Sequence, residues 1–203
     1  MNTSIKNMME EHRLIEHVLA SLENYIEQLK DGHPASRRVV ADFATFFRQF
    51  ADQCHHGKEE DRLFVKMNQC GFPREYGPIA VMLSEHDEGR RHVGALADIG
   101  QAPGPCTPAD AELIIHHGGS FIPLLRAHIQ KEDNILYPMA QQAIPPAEFD
   151  QLDAACLDFD QQTIGTEKIQ QLKDLAQQLV HDFPPDPEKM AAASVCAGCC
   201  GPH

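Results

Sequence analysis

The sequence predicts an all-α fold: an up-down-up-down four-helix bundle with an additional C-terminal helical hairpin and a mobile Cys-rich tail. Apolar residues recur in steps of three and four along four long stretches, which is the period of an amphipathic helix. Glycine and proline bound these stretches, and no segment alternates with the period of two that is typical of a strand. Four such helices joined by short connections bury their apolar stripes by packing into a bundle.

The first helix is predicted over 4–30 and ends at Gly32. Its stripe comprises Ile5, Met8, Ile15, Leu19, Leu22, Ile26 and Leu29. His12 fills the one gap in that stripe. The second helix is predicted over 35–70, with Gly71 as its stop signal. One face of it carries Phe43, Phe47, Phe50 and Cys54.

The third helix is predicted to open at Pro78, since proline is favoured at the first helical position. Its stripe comprises Ile79, Met82, His86, Val93 and Leu96. Residues 100–108 are a loop by composition. Thr107 then caps the fourth helix, with Asp110 three residues later in a capping-box arrangement, and Pro145 ends it. That helix carries Ile114, Phe121, Leu125, His128, Glu132 and Ile135 on one stripe.

A helical hairpin is predicted after the bundle, over 147–160 and 166–182. The tail from Phe183 is rich in proline and alanine and finishes CAGCCGPH. Its Cys196, Cys199, Cys200 and His203 offer thiol and imidazole groups for a metal or a redox switch. We therefore divide the chain into a bundle at 1–142, the hairpin at 143–183 and the tail at 184–203.

The composition limits the classes of binding partner and the cellular compartment that we expect for this protein. The net charge of −13 argues against nucleic acid and against an anionic membrane surface, because both require clustered Lys and Arg. No run of about 18 apolar residues is present, so we expect no membrane span. The first residues include acidic side chains where a secretory signal would be apolar. Seven cysteines, an odd and scattered set, fit a reducing cytosol, and we expect a cytoplasmic protein.

Histidines and carboxylates fall on or beside the core stripes of all four long helices. The histidines are His12, His55 or His56, His86 and His128, and the carboxylates one turn later are Glu59 or Glu60 and Glu132. Residues four apart share a helix face, so each HxxxE motif directs a ring and a carboxylate towards one point. Burying these charges without partners would be costly, and two metal ions would offset that cost. Imidazole and carboxylate without thiolate suit iron or manganese, and less well zinc.

Some assignments stay open from the residues alone. His12 is preferred to His17, because only His12 lies on the apolar stripe. Two choices remain: His55 with Glu59 or His56 with Glu60, and Glu132 or Asp133. The apolar stripes on the two sides of Gly57 do not line up, which leaves the first choice unresolved. If His56 is not a ligand, it either binds a ligand carboxylate or is solvated. His117 shares a face with His128 and is interpreted as a packed or capping residue.

Four stretches in this order resemble the haemerythrin-like, or HHE cation-binding, family over roughly residues 1–142. They are EHRLIEHVL (11–19), HHGKEEDRLF (55–64), EHDEGRRHV (85–93) and HIQKEDNILYPMA (128–140). The resemblance implies a four-helix bundle that holds a non-haem di-iron centre. By the family pattern the ligands here are His12, His55, Glu59, His86, His128 and Glu132.

The third helix departs from the family's oxygen carriers. Those proteins have HxxxH on this helix, whereas the residue four after His86 here is Arg90, and His92 faces elsewhere. We therefore expect one metal to lack a protein ligand and to keep a water or an open position. Open positions favour reaction over reversible carriage.

Two functions follow from these expectations. The first is a di-iron protein, with manganese possible at one site, that binds or senses a small oxidant such as O2, NO or peroxide. The alternative is a di-iron enzyme that is peroxidase-like, reduces NO, or donates iron to repair iron–sulfur clusters. The open position and the thiol tail favour the alternative, since thiols supply electrons or bind iron in transfer.

Overall fold

The computed structural model describes residues 2–188, which contain helices and no strand. The helices are α1 (Thr3–Lys30), α2 (Arg37–Phe46), π1 (Phe47–His56), π2 (Glu59–Leu63), α3 (Phe64–Gln69), α4 (Pro78–Gln101), α5 (Pro108–Lys131), π3 (Glu132–Leu136), α6 (Tyr137–Ala143), α7 (Pro146–Asp158), π4 (Phe159–Ile164) and α8 (Thr166–Asp182). The all-α prediction is confirmed. The predicted Cys-rich tail, with Cys196, Cys199, Cys200 and His203, lies outside the described residues.

Two of the four long helices change their winding along their length. Residues 37–69 form one continuous rod from α2, π1, π2 and α3, and residues 108–143 form another from α5, π3 and α6. Thr107 caps the second rod with the predicted capping box. A π-turn adds one residue to each hydrogen-bonded ring, so it rotates every later side chain about the helix axis. This rotation explains why the apolar stripes before and after Gly57 do not line up.

The buried polar residues form a layer between two apolar clusters. One cluster includes Ile15, Phe50, Val93 and Leu125, and the other includes Met8, Leu63, Met82 and Leu136. Helices α1 and α4 are the first and third rods, and residues 37–69 and 108–143 are the second and fourth. On all four rods, the buried histidines and glutamates fall between residues of the two clusters. The first and third rods pass through the clusters in one order, and the second and fourth pass through them in the opposite order.

The C-terminal helices pack beside the polar layer. Helix α7 contacts α1 and π2, and α8 contacts α1 and α2. The ring of Phe159 lies over Gly57, where an added Cβ would come within 2.8 Å of it. Within the described part of the chain, no helix is both long enough and apolar enough to cross a membrane.

Gly100 permits the close approach of α4 to α2. An alanine Cβ at this position would lie 2.7 Å from the backbone nitrogen of Ala41 and 2.8 Å from its Cα. Because backbone cannot rotate away, we expect Gly100→Ala to lower the free energy of unfolding by about 1–3 kcal/mol. Gly119→Ala is the control, since its Cβ meets no atom within 4 Å and should stabilise the helix by about 0.4–1 kcal/mol. Urea denaturation measures both, and equal effects would contradict this packing.

Candidate metal centre

The six side chains implied by the family pattern lie together in the interior. They are His12, His55, Glu59, His86, His128 and Glu132, and none is more than 1% exposed. His12, His55, Glu59 and Glu132 form one group of potential ligand atoms that all lie within 4.8 Å of one another. His56, Glu59, His86 and His128 form a second group by the same measure. We call these the inner group and the outer group, and they share Glu59.

The two carboxylates lie between the groups. One oxygen of Glu132 is 3.2 Å from Nε2 of His12, and the other is 3.2 Å from Nε2 of His128. Oε2 of Glu59 is 3.8 Å from Nε2 of His55 and 3.6 Å from Nε2 of His86. Each carboxylate therefore faces a histidine from both groups. A carboxylate in this position is suited to bridging two cations.

His56 belongs to the outer group. From the sequence, only four imidazoles are expected at the site, and a solvated His56 is one alternative. It is 7% exposed and its ring stacks on that of His86 with centroids 3.8 Å apart, so the solvated alternative is wrong. Adjacent residues of an α-helix point about 100° apart, which keeps them from sharing a site. His55 and His56 end the π1 segment, where the wider turn reduces this angle. Five imidazoles converge, where four had been expected.

Arg90 has a structural role at the edge of the outer group. Its guanidinium donates to Asp52 at 2.8 Å and to Glu60 at 2.6 Å. Both carboxylates in turn face ring nitrogens of the outer histidines, His56 and His86. Arg90 therefore holds the partners of the outer histidines in place.

A second layer of carboxylates orients the rings. Nδ1 of four histidines lies 2.7–2.9 Å from a carboxylate oxygen, in the pairs His12–Asp133, His55–Glu11, His86–Glu60 and His128–Glu85. Each bond leaves Nε2 facing the centre. Glu60 and Asp133, the two competing candidates, therefore bind ring nitrogens, while Glu59 and Glu132 face inward. This carboxylate–histidine arrangement is characteristic of metal sites, where it fixes the tautomer of the ligand.

Tyr137 closes the inner group. Its hydroxyl donates to Oε1 of Glu59 at 2.7 Å and lies 3.4 Å from Nε2 of His12. Its ring stacks on His12 with centroids 5.5 Å apart. No role at the site is assigned to Tyr137 from the sequence. Tyr137 lies five residues after Glu132, and the π3 segment between them places it on the side of the helix that faces the site.

Burial disfavours charge at the centre, both on the carboxylate of Glu59 and on the ring of His55. Burial and the charge of Glu132 raise the pKa of Glu59 well above its usual range. Burial and the neighbouring His12 lower the pKa of His55 to about 3. Within residues 2–188, Nε2 of His55 and Oε2 of Glu59 have no hydrogen-bond partner, and the two oxygens of Glu132 each lie 3.2 Å from a ring nitrogen. Orphaned buried donors and acceptors are costly, so these atoms fit cations that would coordinate them.

A cavity of about 380 Å³ leads from the surface to the outer group. His56, His86 and His128 line its inner end, and Phe47, Val93, Phe121 and Leu125 form much of its wall. Arg48 and Gln53, which are exposed, lie at its mouth. No residue of the inner group other than the shared Glu59 belongs to the outer group, and none lines the cavity. Access from solvent is therefore directed to the outer group.

Comparison with known proteins decides the family. The model of the haemerythrin HHE cation-binding domain matches residues 3–140. The chain belongs to the haemerythrin HHE cation-binding family. No solved structure matches the chain significantly.

Relatives of this haemerythrin-family chain include proteins of two kinds. An uncharacterized protein of Mycobacterium tuberculosis is 19% identical over 172 residues, which cover 85% of this chain and 67% of the relative. The iron-sulfur cluster repair protein YtfE of Salmonella paratyphi B is 36% identical over 120 residues, 57% of this chain and 53% of YtfE. YtfE of Musicola paradisiaca is 34% identical over 94 residues, 44% of this chain and 41% of YtfE. The chain thus aligns with about half the length of these YtfE proteins.

Lys58 ties the haemerythrin-family centre to the C-terminal helices. Its ammonium is buried, binds Glu11, and lies 3.0 Å from Asp160. Burial lowers the pKa of Lys58, but the neighbouring negative charges, that of Glu11 foremost and that of Asp160 with it, together outweigh burial and raise the pKa. Burial raises the pKa of Glu11, but its hydrogen bond to His55 and the charge of Lys58 lower it to about 2. Glu11, Cys54 and Asp160 form a third group of potential ligand atoms, and Lys58 already neutralises its carboxylates.

Removal of the Lys58 ammonium should leave Glu11 buried without its cation. We expect Lys58→Met to lower the free energy of unfolding by about 3–5 kcal/mol, as for other broken buried pairs. Lys66→Met is the matched control, because the Lys66–Glu148 pair is partly exposed and such pairs contribute about 0–1 kcal/mol. Urea denaturation followed by circular dichroism measures the difference. Equal losses in the two variants would contradict a buried ion pair at Lys58.

Proposed function

We propose that this chain is a cytosolic non-haem di-iron protein, built as an up-down-up-down bundle, that binds or senses a small oxidant such as O2, NO or peroxide. The observation that carries the proposal is the pair of buried ligand groups that share Glu59 and face Glu132 from both sides. Iron is the metal proposed for both positions, with manganese at one position as the alternative.

The ligands of each ion follow from the two groups. His12 and His55 would hold the inner ion, and His56, His86 and His128 would hold the outer ion. Glu59 and Glu132, whose oxygens face histidines of both groups, would serve both ions. When bound, iron supplies redox chemistry and coordination of a small oxidant. Two carboxylates between two cations also reduce the repulsion between the cations.

The residues around the ligands control geometry and access. Asp133, Glu11, Glu60 and Glu85 each accept a hydrogen bond from Nδ1, so that Nε2 is presented to the metal. The Tyr137 hydroxyl holds Glu59 by a hydrogen bond and packs its ring on the inner histidine. The apolar cavity wall admits small neutral molecules to the outer ion and disfavours water.

A second candidate is an iron-donating role in the repair of iron–sulfur clusters. It is favoured by the similarity to proteins named iron-sulfur cluster repair protein YtfE. The cavity at the outer group would then be the exit for iron, and the thiols of Cys196, Cys199 and Cys200 would receive it or supply electrons. In this candidate role the outer ion leaves the protein, whereas in the first it stays and binds a small molecule.

Metal analysis of variants at Glu132 tests the bridging role. We expect freshly purified protein to contain about two irons per chain and Glu132→Gln to retain one or fewer, since a neutral amide bridges cations poorly. Glu112→Gln is the control, because Glu112 lies on the same helix and is exposed. A Glu132→Gln variant with full iron content, or wild-type protein with zinc alone, would contradict the proposal.

A leucine at Gly89 tests the cavity and separates the two candidate functions. Gly89 lines the cavity, and an added Cβ would lie 3.4 Å from the Phe121 ring. We expect Gly89→Leu to slow oxidation of the reduced centre by hydrogen peroxide by about tenfold, equivalent to about 1.4 kcal/mol, with iron content unchanged. Gly119→Leu, outside the cavity, is the control. Unchanged oxidation, together with slower transfer of iron from Gly89→Leu than from the wild-type protein to an iron-depleted iron–sulfur protein, would favour the repair role.

A further inference from the structure

A histidine pair lies outside both ligand groups, between α4 and α5. Nδ1 of His92 is 3.2 Å from Nδ1 of His117, and the two ring centroids are 5.5 Å apart. Both side chains are half-buried, so the pair lies at the surface of the helix packing. Neither residue belongs to the groups that contain Glu59. The proposed di-iron function makes no use of this pair.

The separation of the two nitrogens suits a shared cation. Imidazole nitrogens bind zinc at about 2.0–2.1 Å, and a nitrogen separation of 3.2 Å then corresponds to an angle of about 100° at the ion. This angle is close to tetrahedral. The alternative for two facing ring nitrogens is a direct N–H···N hydrogen bond, which joins one donor tautomer to one acceptor tautomer.

Glu88 is a candidate third ligand, whose carboxylate would reach the pair by rotation of its exposed side chain. It lies four residues before His92 and therefore on the same face of α4. It is exposed, and no hydrogen bond or ion pair engages it within residues 2–188. Burial and the neighbouring His117 lower the pKa of His92, while the charge of Glu88 opposes them. Burial and His116 lower the pKa of His117. Neutral imidazoles are the form that binds metal.

We propose that His92 and His117, with Glu88, form a separate surface site for one divalent transition-metal ion of the borderline class, such as Zn2+ or Ni2+. Two imidazoles and one carboxylate are a common ligand set for such ions, and water completes the coordination. The site takes up metal from solvent directly, without passage through the cavity. It is independent of the buried centre and of the function proposed for that centre.

Isothermal titration with Zn2+ tests the site on the iron-loaded, full-length protein. The parent carries Cys196→Ser, Cys199→Ser and Cys200→Ser, so that the tail thiols do not compete, and iron is measured in the same samples. We expect about one Zn2+ per chain with no loss of iron. The affinity should fall by about tenfold or more in His92→Gln and in His117→Gln, and by a smaller factor in Glu88→Gln. His33→Gln, an exposed histidine elsewhere, should leave it unchanged.

Zinc K-edge absorption on the same samples identifies the ligands. Two imidazole nitrogens at about 2.0–2.1 Å are expected, and sulfur at about 2.3 Å would overturn the proposal, since it would place zinc on cysteine. The proposal is also overturned if the parent takes up no zinc, if zinc uptake is matched by iron loss, or if His92→Gln and His117→Gln bind zinc as tightly as the parent. Circular dichroism of each variant confirms that it is folded before titration.

Discussion

The buried layer of histidines depends on carboxylates that reach each ring from another helix. Asp133 binds His12, Glu11 binds His55, Glu60 binds His86 and Glu85 binds His128. In every pair the two partners lie on different rods, so the bonds that orient the rings also join the helices. A buried ring without such a partner would cost about 1–3 kcal/mol. The arrangement of the site and the packing of the bundle are therefore one constraint.

The two sides of this layer have different surroundings. The inner group is closed by Tyr137, whose hydroxyl binds Glu59, and is linked through Glu11 to the buried ammonium of Lys58. The outer group opens to the cavity, where Arg90 secures the carboxylates behind the histidines. A small molecule that enters the cavity meets the outer group first.

Much of the helical organisation can be predicted from the sequence, because apolar spacing and capping residues are local signals. The stripe around His12, the cap at Thr107 and the helix start at Pro78 are each signalled by residues within one or two turns. The structure contains the three helices that these signals predict. The stripe also explains why His12 is buried while His17 is exposed. The family pattern adds His55, Glu59 and Glu132 as inward-facing residues.

The rest of the site depends on π segments and on contacts between helices, which the period of an ideal α-helix does not encode. The π1 segment rotates the second rod, which brings His56 beside His86 and so gives the outer group a third imidazole. Glu60 and Asp133 looked like competing ligands because each follows an inward-facing glutamate. Their partners lie on other helices, and no local pattern identifies them. The open position expected from Arg90 stays a prediction.

The most direct measurement is a crystal structure of the iron-loaded protein with anomalous scattering recorded at the iron edge. The account predicts two peaks about 3.5–4 Å apart, one on each side of the Glu59 and Glu132 carboxylates, with His56 among the ligands of the outer peak. A single peak, or peaks at Glu11, Cys54 and Asp160, would contradict it.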